Sequence, residues 1–307
     1  MKAATYSSFG EPLELTEVDE PKIGPDWVKV AVKATSVNPV DWKIAAGGLD
    51  AALDTYFPVS PGWDVAGVVE AVGPAVTTLA PGDEVFGYVR KDAVHGGTYA
   101  QKVAAPIRTL AKKPATASFA EAGAIPLAGL TAFQSLVHVL EIGADDTLLI
   151  HGASGGVGSF AVQIARSLGA RVLGTASERN HDYLRELGAE PFEYGDGLVD
   201  RVRSAVPDGV TAVLDLNGGD LDKSPALLSD AFAGRIASII DPGVKDMGGR
   251  YVFVSPDVDD LDELAQLFDD GTLTVEIAAT FGLAEAQQAW DLSQEGHTRG
   301  KIVITVD

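Results

Sequence analysis

The sequence predicts an α/β chain of two domains, a mostly β unit and a doubly wound parallel sheet, and three observations predict it. Residues 27 to 103 are rich in β-branched residues, glycine and proline, as in "WVKVAVKATSV", "VAGVVEAVG" and "GDEVFGYV", with turn signals at Pro61-Gly62, Gly73-Pro74 and Pro81-Gly82. From about Ser118, Ala- and Leu-rich helical stretches alternate with short apolar runs, the signature of parallel strands joined by crossover helices. A length of 307 residues with 46% hydrophobic content suits two cores better than one.

The first stretch reads as short strands in a compact, partly closed barrel. The second carries six apolar runs, near 147–150, 171–175, 191–194, 211–216, 235–240 and 251–255, the strand number of a common doubly wound sheet. "DDLDELAQLFDDG" then reads as an amphipathic helix, with Leu261, Leu264, Ala265 and Phe268 at helical spacing and Gly271 just past its end. The final strand, "KIVITV", alternates little and is expected to be buried. The final segment, 275–307, has no place in a six-stranded sheet, so it is expected to return to the first domain. No internal repeat, low-complexity tract or long linker interrupts this order.

Charge and composition exclude several functions. Lys and Arg total 23 against 44 Asp and Glu, a formal charge of -21, so the summed field repels polyanions, and nucleic acid and membranes are not expected partners. A bound phosphate then needs local help from backbone N–H groups or a placed arginine. With no cysteine, disulfides, thiolate nucleophiles and cysteine-ligated zinc are excluded. His95, His138, His151, His181 and His297 show no paired-ligand spacing, and no metal site is expected. "MKAATYSSFGEPLEL" has no apolar core flanked by a basic segment, so a cytoplasmic location is the expectation.

"HGASGGVGSF", residues 151 to 160, is compatible with two chemistries. Gly152, Ser154 and Gly156 spell G-x-S-x-G, the turn that presents a nucleophilic serine, and Asp215 or Asp241 followed by His297 has the chain order of a hydrolase. Gly152, Gly155, Gly156 and Gly158 instead let the backbone, with Ser154 and Val157, curl around a pyrophosphate at a helix N-terminus. A nucleophile turn needs glycine mainly beside the serine and leaves Gly155 and Gly158 unexplained. A pyrophosphate cradle uses both, for close backbone approach and for helix packing. The glycines therefore favour a dinucleotide. The next helix, "SFAVQIARSLGA", carries Phe160, Ala161, Ile164, Ala165 and Leu168 as one apolar stripe, with Gly169 as its stop.

The end of the second strand selects the dinucleotide. An acidic side chain there hydrogen-bonds the ribose 2′-hydroxyl of NAD. Here "RVLGTASERN" places Ala176 and Ser177 at that point, with Arg179 just beyond. Ser177 can donate to a 2′-phosphate and Arg179 can pair with it in a fork, so NADP(H) is the expected cofactor. Glu178 would repel the phosphate and is expected to turn away. A plain solvated arginine is the alternative for Arg179.

Further motifs are "SVNPVDWKI" at 36–44, "PGWDVAGVVEAVG" at 61–73, "GDEVFGY" at 82–88, "GGTYA" at 96–100, "LAGLTA" at 127–132, "TASERNHDYLRELGA" at 175–189 and "RGKIVI" at 299–304. In this order, with "GASGGVG" among them, the whole chain resembles the zinc-independent quinone oxidoreductase branch of the medium-chain dehydrogenase/reductase superfamily. The resemblance implies a mostly β, GroES-like catalytic domain, residues 1–117 and 275–307, interrupted by a six-stranded Rossmann NADPH-binding domain at 118–274. Substrate would bind in the cleft between them. It implies an enzyme, a metal-free NADPH-dependent reductase of quinones or of C=C bonds conjugated to a carbonyl, acting by direct hydride transfer. Zinc-dependent relatives hold metal with cysteine and histidine, so their function does not carry over.

The same resemblance implies that Thr131 and Asn217 lie near the ribose and nicotinamide, that Phe253 and Val254 line the nicotinamide edge, and that Arg299 and Lys301 close the site from the last strand. Asn38 and Asp41 resemble the polar pair beside the nicotinamide. Asn38 is equally a turn residue before Pro39, and Asp41 equally a cap for "DWKIAAG". Tyr56 is the nearest candidate for a proton donor; with Trp42, Phe57 and Trp63 it can instead form aromatic walls. Relatives commonly dimerise through edge strands of the nucleotide domain, so a homodimer is expected, and the apolar run "RIASII" suits such pairing. An enal, enone or enoyl reductase of a biosynthetic pathway is the alternative within catalysis. A non-catalytic NADPH-binding redox sensor is the alternative outside it.

Overall fold

Alternating valines in "WVKVAVKATSV" make Trp27–Val37 a strand of 11 residues whose Val28, Val30 and Val32 enter one core. Asp64–Val72 pairs antiparallel along one side, followed outward by Glu84–Tyr88 and Leu110–Lys112. On the other side Lys102–Pro106 pairs with the first half of the long strand and Lys301–Thr305 with the second, Val303 standing opposite Ser36. Ile277–Gly282 lies parallel to Lys301–Thr305, so the C-terminal segment does return to the β unit. Val65, Val69, Val85, Val103 and Leu110 fill the core. Beyond Val37 the chain turns into the helix Pro39–Ala45, with proline at its start, where a missing N–H costs nothing.

The computed structural model describes residues 1–307. They form one unit of Met1–Leu130, Pro256–Gly271 and Ile277–Asp307, and a second of Thr131–Ser255 and Thr272–Glu276. Two helices expected with the nucleotide domain therefore belong to the first unit. Phe119–Ala124, opened by the Ser118/Glu121 capping box, lies against the long strand so closely that a Cβ on Gly123 would stand 3.1 Å from Ala34. Val258–Asp269 is amphipathic as expected, but Leu264 reaches within 3.1 Å of where a Cβ on Gly129 would stand, and Asp269 accepts from the N–H groups of Ala115 and Thr116 at 3.0 and 2.8 Å. An apolar stripe announces a helix without saying which sheet it covers.

The second unit is a six-stranded parallel sheet in the order Glu190–Phe192, Arg171–Thr175, Thr147–His151, Ala212–Asp215, Ile236–Ser238, Arg250–Tyr251. All six expected strands are present, the last shortened to two residues. Strand order reverses at Thr147–His151, so the crevice beyond its C-terminal end is where such sheets take ligands. The helix Gly156–Ser167 covers this strand, burying Phe160, Ala161, Ile164 and Ala165. "RIASII" is not an edge: Ile236–Ser238 is paired on both sides and buried within the sheet, while Ile240 beyond it is 41% exposed. The edges are Glu190–Phe192 and Arg250–Tyr251. No helix is long and apolar enough to cross a membrane.

Candidate functional site

In the second unit the glycine loop is pinned to the end of the second strand. The N–H of Gly152 donates to Thr175 Oγ1 at 3.1 Å, and that of Ala153 to the Thr175 carbonyl at 3.0 Å. Gly152 has φ +77°, a left-handed conformation that favours glycine. A Cβ on Gly158 would fall 2.4 Å from the Gly152 oxygen and 2.6 Å from the Ala153 backbone, so only glycine lets the helix start directly against the loop. Gly155 is the N-cap, and the N–H groups of Gly156, Val157 and Gly158 have no acceptor within the helix. These donors at the positive end of a helix, with no side chain at positions 155, 156 and 158, fit a pyrophosphate.

Polar residues surround this cradle. Asn217 follows Ala212–Asp215, its Cβ 3.4 Å from where a Cβ on Gly152 would stand, in a turn held by Asp215 Oδ1 accepting from Gly218 N–H at 2.8 Å. Asn180 Nδ2 donates to Ser154 Oγ at 3.2 Å and lies 3.4 Å from Ser177 Oγ, tying the loop to the turn Glu178–Asn180. Asn180 was not singled out from the sequence, although it stands within "ASERN". Ala176 is buried, while Glu178 and Arg179 are exposed on that turn. Ser154 has no histidine partner in this unit; His181 directs its ring to the Ala176 carbonyl at 3.3 Å. Phe253, 49% exposed, and Val254 follow the sixth strand, and Thr131 is buried, its carbonyl accepting from Ser135 Oγ at 2.6 Å.

In the first unit Asn38 and Asp41 enter a buried polar network. Asp41 Oδ2 accepts from Asn38 N–H at 2.9 Å and from the Tyr99 hydroxyl at 3.0 Å, and Trp290 Nε1 donates to Tyr99 at 3.3 Å. The Asn38 side chain donates through Nδ2 to Asp64 Oδ2 at 2.7 Å and accepts through Oδ1 from Lys301 Nζ at 2.6 Å. Asp64 also accepts from Ser36 Oγ at 2.5 Å and from Leu127 N–H at 2.7 Å. Both sequence alternatives for the pair are thus partly realised: Asn38 starts the helix and Asp41 caps it back, yet their side chains are committed to this network. Lys301, expected beside the cofactor, faces inward to Asn38 and the Val37 carbonyl, and burial holds its pKa below the usual lysine value. Arg299 is exposed. Tyr56 is 58% exposed and packs edge-on to His95 at 5.9 Å.

Burial pushes the Asp41 carboxyl up to about 7, against the Asn38 N–H, with Asp64 adding to the rise and Tyr99 and Lys301 opposing it. The folded state therefore holds a proton that the unfolded state releases near the ordinary carboxylate pKa. Between that value and about 7 this group makes the fold less stable as pH rises, and the loss is complete above about 7. Asp41→Asn should match wild type below about pH 4 and exceed it by about 1–3 kcal/mol at pH 8 in urea unfolding. An offset between variant and wild type that does not grow with pH would contradict this account.

Residues 24–115 match the alcohol dehydrogenase GroES-like domain family and residues 187–304 the zinc-binding dehydrogenase family. A chloroplast envelope quinone oxidoreductase homolog of Arabidopsis thaliana is 31% identical over 99% of this chain and 98% of its own length. The chain belongs to the quinone oxidoreductase branch of the medium-chain dehydrogenase/reductase superfamily. The NADPH-dependent alkenal/one oxidoreductase, chloroplastic, of Arabidopsis thaliana is 33% identical over 99% of this chain and 79% of that protein. The structure of the quinone oxidoreductase from Coxiella burnetii matches with a TM-score of 0.89 at 34% identity, covering 100% of this chain and 99% of that one. As a member of this branch the chain is an oxidoreductase that uses a nicotinamide cofactor, built from a GroES-like and a Rossmann-type domain. The zinc-binding name of one matched family describes the fold shared here; this member has no cysteine, and no three His, Asp or Glu side chains are grouped to hold a metal.

Proposed function

We propose that this oxidoreductase uses NADPH to reduce quinones or C=C bonds conjugated to a carbonyl. The observation that carries the reading is the turn after the second strand, where Asn180 ties Ser177 to the glycine loop, Arg179 is exposed next to it, and no carboxylate occupies positions 176 and 177. A 2′-phosphate there meets hydroxyl, amide and guanidinium donors, which a chain of charge -21 needs locally. The relatives named for quinone and for alkenal/one reduction support the substrate class. A cytoplasmic homodimer, paired through an edge strand of the second unit, belongs to the same reading.

When bound, the nicotinamide supplies the hydride. The residues of the chain bind and orient. In the second unit Gly152 to Gly158 hold the pyrophosphate, and Thr131, Asn217, Phe253 and Val254 flank the ribose and nicotinamide. In the first unit Asn38 and Asp41, fixed by Asp64, Tyr99 and Lys301, position the acceptor.

The test is NADPH oxidation by the purified protein with a simple benzoquinone and an α,β-unsaturated aldehyde side by side, and NADH as control. Saturable, acceptor-dependent loss that is faster with NADPH is expected; tight NADPH binding with no such loss would favour the redox sensor. In the same assay Arg179→Ala should raise KM for NADPH about ten- to a hundredfold, the worth of one charge-assisted hydrogen bond, and leave NADH nearly unchanged. Equal losses for both cofactors would remove the phosphate role of Arg179.

A further inference from the structure

Two buried polar atoms of the first unit have no hydrogen-bond partner, the Tyr6 hydroxyl and Asp41 Oδ1, and their residues border the same cavity. Both residues are 1% exposed. The cavity is partly open, is also walled by Ser60, Trp63 and His95, and has room for little more than one oxygen-sized atom. Ser60 is committed, its Oγ donating to the Tyr99 carbonyl at 3.2 Å. Tyr6 is held in place by backbone hydrogen bonds in both directions with Val59, at 3.0 and 2.9 Å, and by edge-on packing against Phe57. Native folds rarely leave such atoms unpaired without a purpose.

We propose that Tyr6 and Asp41 form an oxygen site that receives the carbonyl or quinone oxygen of the acceptor, with Asp41 its proton donor. The inference rests on the reductase reading above and names what holds the acceptor. The hydrogen-bond pattern locates the proton. Asp41 Oδ2 already accepts from Asn38 N–H and Tyr99 OH, so the neutral carboxyl carries its hydrogen on Oδ1, the oxygen with no partner in the protein. The Tyr6 phenol stays protonated, burial first and Asp41 second pushing it up to about 12. The charged and titratable groups acting on Asp41 are Asp64 and Lys301 from the sheet, Tyr99, Tyr88 and Tyr6, with His95 on the cavity wall, its pKa held below the ordinary value by partial burial and Lys91. Two unpartnered O–H donors on residues that border one small space suit an oxygen that gains negative charge during reaction, as a buried phenol and a protonated carboxyl do together in other enzymes.

The step balances. Hydride from the reduced nicotinamide forms a C–H bond at the β-carbon of the acceptor, the C=C electrons shift to the carbonyl, and the oxygen becomes an enolate. The Asp41 Oδ1–H bond breaks and an enol O–H bond forms. The acceptor is reduced by two electrons, the nicotinamide is oxidised, and the Asp41 carboxylate recovers its proton from water.

The experiment is binding of cyclohexanone labelled with carbon-13 at the carbonyl, a ketone with no C=C bond to reduce, followed by NMR from pH 5.5 to 8.5 with the NADP⁺ complex. Wild type should shift the carbonyl resonance downfield and lose affinity about tenfold per pH unit above about 7, where Asp41 ionises. Asp41→Asn should bind with no pH dependence, because its amide can donate from the same position without titrating. Tyr6→Phe should bind about tenfold more weakly at every pH. Binding that is flat with pH in wild type, unchanged in Tyr6→Phe, or still falling with pH in Asp41→Asn would overturn the site, as would a cavity that holds water only and binds no ketone. Ketone binding with the expected signatures in a protein that oxidises NADPH with no acceptor would instead sink the reductase reading and leave the oxygen site standing.

Discussion

Gly158→Ala is expected to weaken NADPH binding by at least about a hundredfold and to cost about 1–3 kcal/mol of stability. The added methyl would sit 2.4 Å from the Gly152 oxygen and 2.6 Å from two Ala153 backbone atoms. These are main-chain atoms and cannot rotate aside as a side chain would. The loop is also tied to Thr175 by two hydrogen bonds and turns through a left-handed Gly152, so it has little freedom to retreat. Either the helix Gly156–Ser167 moves off the loop or the loop leaves Thr175, and both displace the N–H groups that would face the pyrophosphate. Gly155→Ala is the control. Its methyl would meet only the Gly152 oxygen, at an ordinary 3.5 Å, so stability should stay within about 0.5 kcal/mol of wild type while the methyl intrudes on the phosphates. Thermal unfolding and NADPH fluorescence titration of both variants separate the effects. A Gly158→Ala protein that melts and binds like wild type would show that the loop and helix do not pack this way.

The parts of the molecule that local chemistry determines were legible in the sequence. The glycine loop, the strand and helix on either side of it, and the missing acid at positions 176 and 177 are encoded within a short span of chain, where backbone approach and helix capping are decided. The allegiance of Phe119–Ala124 and Val258–Asp269 was not, because their apolar stripes are satisfied equally by either sheet until Gly123 and Gly129 choose the partner. Ser36, Asp64 and Tyr99 were also passed over. For each the group that explains it lies far away in sequence, as Lys301 does for Asn38. A strand buried from Lys301 to Ile304 gives no alternation to say which way its lysine points. Asn38 and Asp41 were legible as a pair, but only their hydrogen bonds distinguish the amide that links two charges from the carboxyl left with one open oxygen.

That link leads to the second large effect. Lys301→Met should cost about 3–5 kcal/mol in urea unfolding, the usual penalty for breaking a buried pair from one side. Lys301 is 4% exposed and Asp64 not exposed at all, with 3.9 Å between Nζ and Oδ2. Asn38 stands between them, accepting from the lysine and donating to the carboxylate, so its amide orientation is fixed from both ends. Removing the ammonium strands Asn38 Oδ1 and leaves the Asp64 charge without its counter-ion. Asp64→Asn should cost about 2–4 kcal/mol for a different reason. Ser36, Asn38 and Leu127 all donate to position 64, and an amide there must turn a donor toward one of them. The double variant Lys301→Met with Asp64→Asn carries neither charge, so its loss should fall short of the sum of the single losses by about 1–3 kcal/mol. Strict additivity would mean that Asn38 transmits nothing between the two, and that the network is a set of independent contacts. Lys301→Met should also raise the Asp41 pKa further, since Lys301 is one of the groups holding it down. The loss of ketone affinity with rising pH would then begin at a higher pH than in wild type, so this substitution connects the stability of the network to the oxygen site it supports.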